Sequence, residues 1–288
     1  MIAPPTLAFN PESFGVIGLG RMAGALLLPL LEEKLLQPTA IRAVVASEVS
    51  AQRLSAHHGL EVSTNPSQAW RSPVVLLAVK PQQLEAVAAH APAGPGADGS
   101  EGGADPGRTT ARPLLLSVLA GVRLARLQAL FPGWACVRAV PNTPALVRAG
   151  LTALAWGDGV STGQRQWVSH LFSRVGEVWE LPEPQLDAFL ALTSSGPAFV
   201  ALVAEGLADG AVAAGLPRSL AQHLASRTLA GTAALLSEQE LHPGQLKDMV
   251  ASPAGTTIAG LRQLEQAGVR SALIEAVVAA AERSRSFG

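Results

Sequence analysis

The 288-residue sequence predicts an α/β domain followed by an all-α domain. Three observations predict it. Short apolar runs alternate with helical ones in the first half; a glycine-rich turn joins the first run to the first helix; and beyond about Leu181 strand-like runs stop, while alanine and leucine recur at helical spacing. In chain order, Phe14–Leu19 reads as a strand ending in glycines and Met22–Leu36 as a helix. Ile41–Ala46, Val74–Val79, Leu114–Val118 and Val137–Val140 read as further strands. Near-continuous apolar strands separated by helices belong to a parallel sheet covered on both faces. Ala91–Arg112 (APAGPGADGSEGGADPGRTTAR) cannot bury an apolar face and reads as a mobile insertion without a function of its own. After it, Leu186–Leu216, Arg218–Ser237, Pro243–Val250, Thr257–Gln266 and Arg270–Ser286 read as helices, with glycine and proline at their joints. The domain boundary is drawn at 180/181.

Composition narrows the function classes. The formal charge is −1, so there is no basic surplus to meet a nucleic-acid backbone. With 48% hydrophobic and only 15% charged residues, much of the surface is expected to be buried again in a homo-oligomer. Cys136 is the only cysteine, which excludes an intramolecular disulfide or a multi-cysteine metal site and suits a cytoplasmic protein. Met1–Pro11 lacks the features of a signal peptide. The most apolar stretch, Phe189–Val203, is interrupted by Gly196 and Pro197 and reads as a core or interface helix rather than a membrane span. His57, His58, His90, His170, His223 and His242 are scattered, and no metal site is expected.

The first motif with chemistry is Gly18-Leu19-Gly20-Arg21-Met22-Ala23-Gly24, between an apolar strand and a helix. In that context it is a dinucleotide-binding fingerprint of the Rossmann type. Gly18 permits the tight turn and Gly20 lets the backbone approach a pyrophosphate. Ala23 packs helix against strand, and the helix N-terminus offers free N–H groups to the phosphates. Glu48, read at the end of the second strand, can accept hydrogen bonds from ribose hydroxyls and repel a 2′-phosphate, which favours NADH over NADPH. An ordinary solvated glutamate fits the same position. Arg42 and Arg53 are near in sequence but not at the strand end.

Further motifs follow in order: Val79-Lys80-Pro81-Gln82, Ser117-Val118-Leu119-Ala120-Gly121-Val122, Val140-Pro141-Asn142-Thr143-Pro144, Thr193-Ser194-Ser195-Gly196-Pro197-Ala198-Phe199, and Leu246 through Ser252-Pro253-Ala254-Gly255-Thr256-Thr257 to Leu261. With the glycine loop, this ordered set resembles the pyrroline-5-carboxylate reductases from about Phe14 to the C-terminus. The resemblance implies a Rossmann domain followed by a helical dimerisation domain, sometimes assembled into rings of dimers. It implies hydride transfer from NADH or NADPH to C5 of 1-pyrroline-5-carboxylate, the last step of proline synthesis. It also places the nicotinamide near Ala78, Val79, Lys80 and Pro81 and near Ala120 and Gly121, and Asn65 near the adenosine ribose. Four positions depart from the family pattern. Thr193 and Ser194 open the segment usually written Ser-Gly-Ser-Gly-Pro, Ala254 replaces the first of two glycines, and Val49 stands where an arginine is often found.

The substrate that the resemblance implies carries a carboxylate and an imine, and the turn Ser252–Thr257 leads into a helix. Ser252, Gly255, Thr256 and Thr257 are the candidate substrate-binding residues, since hydroxyls and free N–H groups can surround a carboxylate. Thr257 is the candidate catalytic residue, its hydroxyl meeting the ring nitrogen. A plain helix cap is the competing reading of the same residues. Holding C5 against the nicotinamide supplies most of what the reaction needs, which accounts for the lack of an evident acid–base group. Two alternatives remain. A β-hydroxyacid dehydrogenase would need a lysine on the long helix of the second domain, but the only lysines are Lys34, Lys80 and Lys247. A non-enzymatic dinucleotide sensor would not need the Ser252–Thr257 turn.

Overall fold

The computed structural model describes residues 9–93 and 112–287. The loop expected over Ala91–Arg112 falls, apart from its ends, outside the described residues. Contacts divide the chain into two compact units. The first runs through Ser194 and takes in the residues from Ala281 on, and the second is Ser195–Ala280.

The first unit is built on β1 (Phe14–Ile17), β2 (Ile41–Val44), β3 (Glu61–Ser63), β4 (Val74–Leu77), β5 (Leu114–Ser117), β6 (Ala135–Val140), β7 (Gly150–Trp156) and β8 (Gly176–Glu180). They form one sheet of order β3-β2-β1-β4-β5-β6-β7-β8. The first six strands are parallel, β7 runs antiparallel to β6, and β8 is parallel to β7. The strand order therefore reverses direction between β1 and β4, which opens a crevice at the carboxyl edge there. The sequence reading did not anticipate β3, β7 or β8. β3 and β8 are polar sheet edges that never become fully buried, so no continuous apolar run marks them.

The helices α1 (Arg21–Glu32), α2 (Glu48–His58), α3 (Pro66–Trp70), α4 (Leu84–Ala88), α5 (Leu124–Leu130), α6 (Thr162–Ser173) and α7 (Leu186–Thr193) accompany the sheet. β4 shows why its run is unbroken: Val74 and Leu76 belong to one apolar cluster, with Leu27, Trp167 and Leu171, while Val75 and Leu77 belong to another, with Trp70, Phe131 and Leu186. Both faces are buried, so every position must be apolar.

One charge is buried with them. Arg138, in the middle of β6, is 1% exposed. Its guanidinium donates to Asp187 Oδ1 at 3.0 Å and to Glu183 Oε1 at 3.3 Å. Glu183 also accepts from the Leu124 N–H at 2.7 Å, and Asp187 from the Ser284 hydroxyl at 2.8 Å. The network ties the sheet to the start of α7 and to the last turn of the C-terminal helix.

The second unit holds α8 (Gly196–Ala213), α9 (Arg218–Glu238), α10 (Pro243–Val250), α11 (Thr256–Gln266) and most of α12 (Val269–Arg285). The helix expected over Leu186–Leu216 is two helices. Ser194 and Ser195 separate them, and Pro197, which has no N–H to donate, sits in the first turn of α8. Among the described residues, the buried apolar cluster of this unit is three alanines, Ala208, Ala221 and Ala225. Large apolar side chains stay exposed, among them Leu202 at 69% and Ile274 at 56%. A helical unit with so small a core needs its apolar faces covered.

Truncating one side of the buried ion network tests its weight. Asp187→Ala leaves the Arg138 guanidinium buried with Glu183 alone, and is expected to cost about 3 kcal/mol. Urea unfolding would show it as a lower midpoint; an unchanged midpoint would mean that Glu183 suffices.

Candidate active site

The carboxyl ends of the central strands lie side by side because the ladder continues past them. The Gly18 N–H donates to Val44 O at 2.8 Å, the Ala78 N–H to Ile17 O at 2.9 Å, and the Val118 N–H to Leu77 O at 3.0 Å. Gly18 has φ +92°, and a Cβ there would lie 2.8 Å from the carbonyl carbon and oxygen of Ala78. Only glycine allows that turn at that distance. Gly20 is open for a different reason. It is the extended residue before α1, no side chain caps the helix, and a Cβ on it would meet nothing within 4 Å. Leu19 and Ala23 are buried beneath, Met22 is half-buried, and Arg21 is exposed at the helix start. Free N–H groups and a cation therefore border an open space, an arrangement that fits a pyrophosphate.

The outer corner differs from expectation in one respect. β2 ends at Val44, so Glu48 is the first residue of α2 rather than the end of the strand. Ser47 starts the helix by accepting from the Ser50 N–H at 3.3 Å. Glu48 Oε1 accepts the Thr64 hydroxyl at 2.5 Å, which turns the carboxylate toward the end of β3. Thr64 was not singled out in the sequence because no motif marks it. Asn65 caps α3, its Oδ1 accepting from the Ser67 N–H at 3.1 Å. Val49 is exposed.

Beyond β4, Ala78 and Val79 are half-buried and Lys80 is exposed. Pro81 begins a short 3-10 turn, closed as the Lys80 N–H donates to Gln83 Oε1 at 3.3 Å. Beyond β5, Ala120 is exposed while Gly121 is buried with φ +73°. Two of the sequence motifs are joined directly. Buried Asn142 donates to Thr193 O at 3.0 Å and accepts from the Leu151 N–H at 2.8 Å, while the Ser194 hydroxyl donates to Pro141 O at 3.0 Å. The Asn142 amide is thus committed to holding the end of α7.

In the second unit, Ser252–Gly255 makes a tight turn between α10 and α11, closed by the Gly255 N–H to Ser252 O at 3.0 Å. Ala254 adopts φ +59° where glycine would be strain-free, at a cost of about 1 kcal/mol. A side chain on Gly255 would overlap the Ser252 hydroxyl. Gly255 occupies the cap position of α11, and no side chain caps that helix. The helix-cap reading of Ser252 and Thr257 therefore lacks the bond it requires, and the N–H groups of the first turn stay available. Ser252 and Thr256 are exposed and Thr257 is half-buried.

Other chemistry is thinly represented. Burial pushes the Cys136 thiol up to about 12, which keeps it protonated. Burial, and then the neighbouring His57, lower His58. No group of three metal-ligating side chains occurs among the described residues.

Comparison with known proteins agrees with this geometry. Residues 183–287 match a family model described as pyrroline-5-carboxylate reductase dimerisation, and residues 13–97 match one described as NADP oxidoreductase, coenzyme F420-dependent. The pyrroline-5-carboxylate reductase of Synechocystis sp. is 48% identical over 277 residues, covering 95% of this chain and 97% of that protein. The enzyme of Glycine max is 38% identical over 276 residues, covering 96% of both. Among solved structures, Plasmodium falciparum pyrroline carboxylate reductase with NADP bound has a TM-score of 0.83 at 26% identity, covering 96% of this chain and 98% of that one. A pyrroline-5-carboxylate reductase from Coxiella burnetii has a TM-score of 0.80 at 29% identity, covering 97% and 99%. A relative so similar along nearly the whole of both chains makes this protein a member of the pyrroline-5-carboxylate reductase family.

Proposed function

We propose that the chain reduces 1-pyrroline-5-carboxylate to L-proline, with residues 1–180 binding a nicotinamide dinucleotide and 181–288 binding the substrate and pairing two copies. In a chain of this family, the observation that carries the reading is the open space at Gly20 before the uncapped helix α1. When bound, the cofactor would supply the hydride that adds to C5, and the imine nitrogen, protonated from water, would keep that proton as C=N becomes CH–NH. Gly18, Leu19, Gly20, Arg21, Met22 and Ala23 hold its phosphates. Ala78–Pro81, Ala120 and Gly121 border the nicotinamide, and Asn65 lies toward the adenosine ribose. The exposed apolar faces of α8 and α12 support a homodimer, and the single cysteine suits the cytoplasm.

The protein's own part is mainly positional. Ser252, Gly255 and Thr256 meet the substrate carboxylate through hydroxyls and N–H groups at the start of α11, and the helix dipole favours the anion. The Thr257 hydroxyl meets the ring nitrogen. Glu48 inclines the enzyme toward NADH: its carboxylate, held on one oxygen by Thr64, offers the other to a ribose hydroxyl and repels a 2′-phosphate.

Four measurements test this reading. Incubated with pyrroline-5-carboxylate and a reduced cofactor, the protein should form proline in step with cofactor oxidation; oxidation without proline would refute the activity. The kcat/KM should be higher with NADH than with NADPH, and Glu48→Gln should narrow the gap; a wild-type preference for NADPH refutes the role of Glu48. Thr257→Val should lower kcat/KM about tenfold to a hundredfold, the worth of a lost hydrogen bond of ~1–3 kcal/mol. Ser252→Ala should mainly raise KM, because a carboxylate contact is made equally in ground and transition states. Wild-type turnover by a folded Thr257→Val protein would leave that hydroxyl without a catalytic part.

A further inference from the structure

The described chain ends against the loop that follows β5. Gly121 is buried there, and a side chain on it would overlap Phe287 and lie 2.8 Å from Ser284 O. The turn that brings Phe287 to this place is closed by its own backbone, the Phe287 N–H donating to Ser284 O at 3.2 Å. The Arg283 guanidinium covers the ring 4.6 Å from its centroid. The turn is also anchored from beneath. The Ser284 hydroxyl, 2% exposed as a residue, donates at 2.8 Å to the same Asp187 oxygen that takes the Arg138 guanidinium at 3.0 Å. The C-terminal turn is therefore fastened to a buried charge in the sheet, and its aromatic ring rests on a glycine.

Within the stretch Leu119–Val122 of that loop, one residue faces outward. Leu119 and Val122 are 2% and 1% exposed and belong to the apolar core, Gly121 lies under Phe287, and Ala120 alone is exposed. Its height above the sheet is set from below by Leu119 and Val122 and from the C-terminal side by Phe287. Gly121, with φ +73°, has no side chain to resist a shift of the loop by itself.

We propose that Phe287, anchored through Ser284 to Asp187 and Arg138, is a positioning residue that fixes Ala120 and Gly121 against the nicotinamide. This rests on the reading, given above, that these two residues border the nicotinamide. The Ser284–Phe287 turn then acts on turnover without touching the substrate. The relevant scale is that of positioning, where a displacement near 1 Å can cost up to about a hundredfold in rate.

The test is steady-state kinetics on the full chain, with thermal melting as a control. Phe287→Ala should raise KM for the reduced cofactor about three- to tenfold and lower kcat by a similar factor, while KM for pyrroline-5-carboxylate stays at the wild-type value. Phe287→Leu, which refills most of the volume over Gly121, should restore most of the loss. Ser284→Ala, which frees the anchor and leaves the ring in place, should show the same signature more weakly, and it carries the test if Phe287→Ala does not fold. A lower melting temperature with an unchanged cofactor KM would overturn the proposal, since the turn would then only stabilise. Ala120→Leu separates the two layers of the argument by filling the nicotinamide seat directly. If it raises cofactor KM and the Phe287 variants do not, the positioning role fails and the reading of the site stands. If neither moves it, the loop does not border the nicotinamide and both fall.

Discussion

At the turn from β1 into α1, the chain passes so close to the backbone after β4 that no Cβ fits: one on Gly18 would lie 2.8 Å from the Ala78 carbonyl. The register leaves little choice. Ile17 is paired with Val44 on one side and Leu77 on the other, so the next residue must turn between two strand ends. With φ +92° it turns upward immediately, and α1 begins three residues later with its N–H groups facing the crevice. The strand order reverses at this junction, so the same contact that closes the sheet also creates its binding edge.

Stability is distributed unevenly around that edge. The sheet unit is buried on both faces and can hold a charge inside, provided Arg138 keeps its two carboxylates. The helical unit has the opposite economy: its buried cluster is three alanines, and its leucines and isoleucines stay largely uncovered in the single chain. Residues 183–287, which include this unit, match a family model described as dimerisation. The same unit carries the Ser252–Gly255 turn, which leaves the first-turn N–H groups of α11 without a side-chain cap.

How much of this was legible depended on how strongly burial wrote itself into the residues. β1, β2, β4, β5 and β6 are apolar on both faces and could be read directly. The polar edges β3 and β8 could not, and β7, although apolar, carries no local mark of its antiparallel direction. The glycine loop was readable because two glycines serve two different needs at fixed spacing, close packing at Gly18 and open space at Gly20. Glu48 was found but assigned to the strand end, whereas β2 stops at Val44 and Glu48 opens α2 after the Ser47 cap. Thr64, Asp187, Ser284 and Phe287 were invisible for a common reason. Each acts through a partner at least 16 residues away, and no local pattern encodes such a pairing.

The central claim is that the space in front of α1 is reserved for the phosphates of a dinucleotide. It can be separated from any structural need for glycine, because a methyl group at Gly20 touches nothing in the protein. The direct measurement is a fluorescence titration of NADH against wild type and Gly20→Ala, with melting curves for both. The claim predicts an unchanged melting temperature for the free variant and a Kd raised about tenfold or more, equivalent to roughly 1.4 kcal/mol of lost affinity. A Gly20→Ala protein that melts and binds NADH like wild type would contradict it.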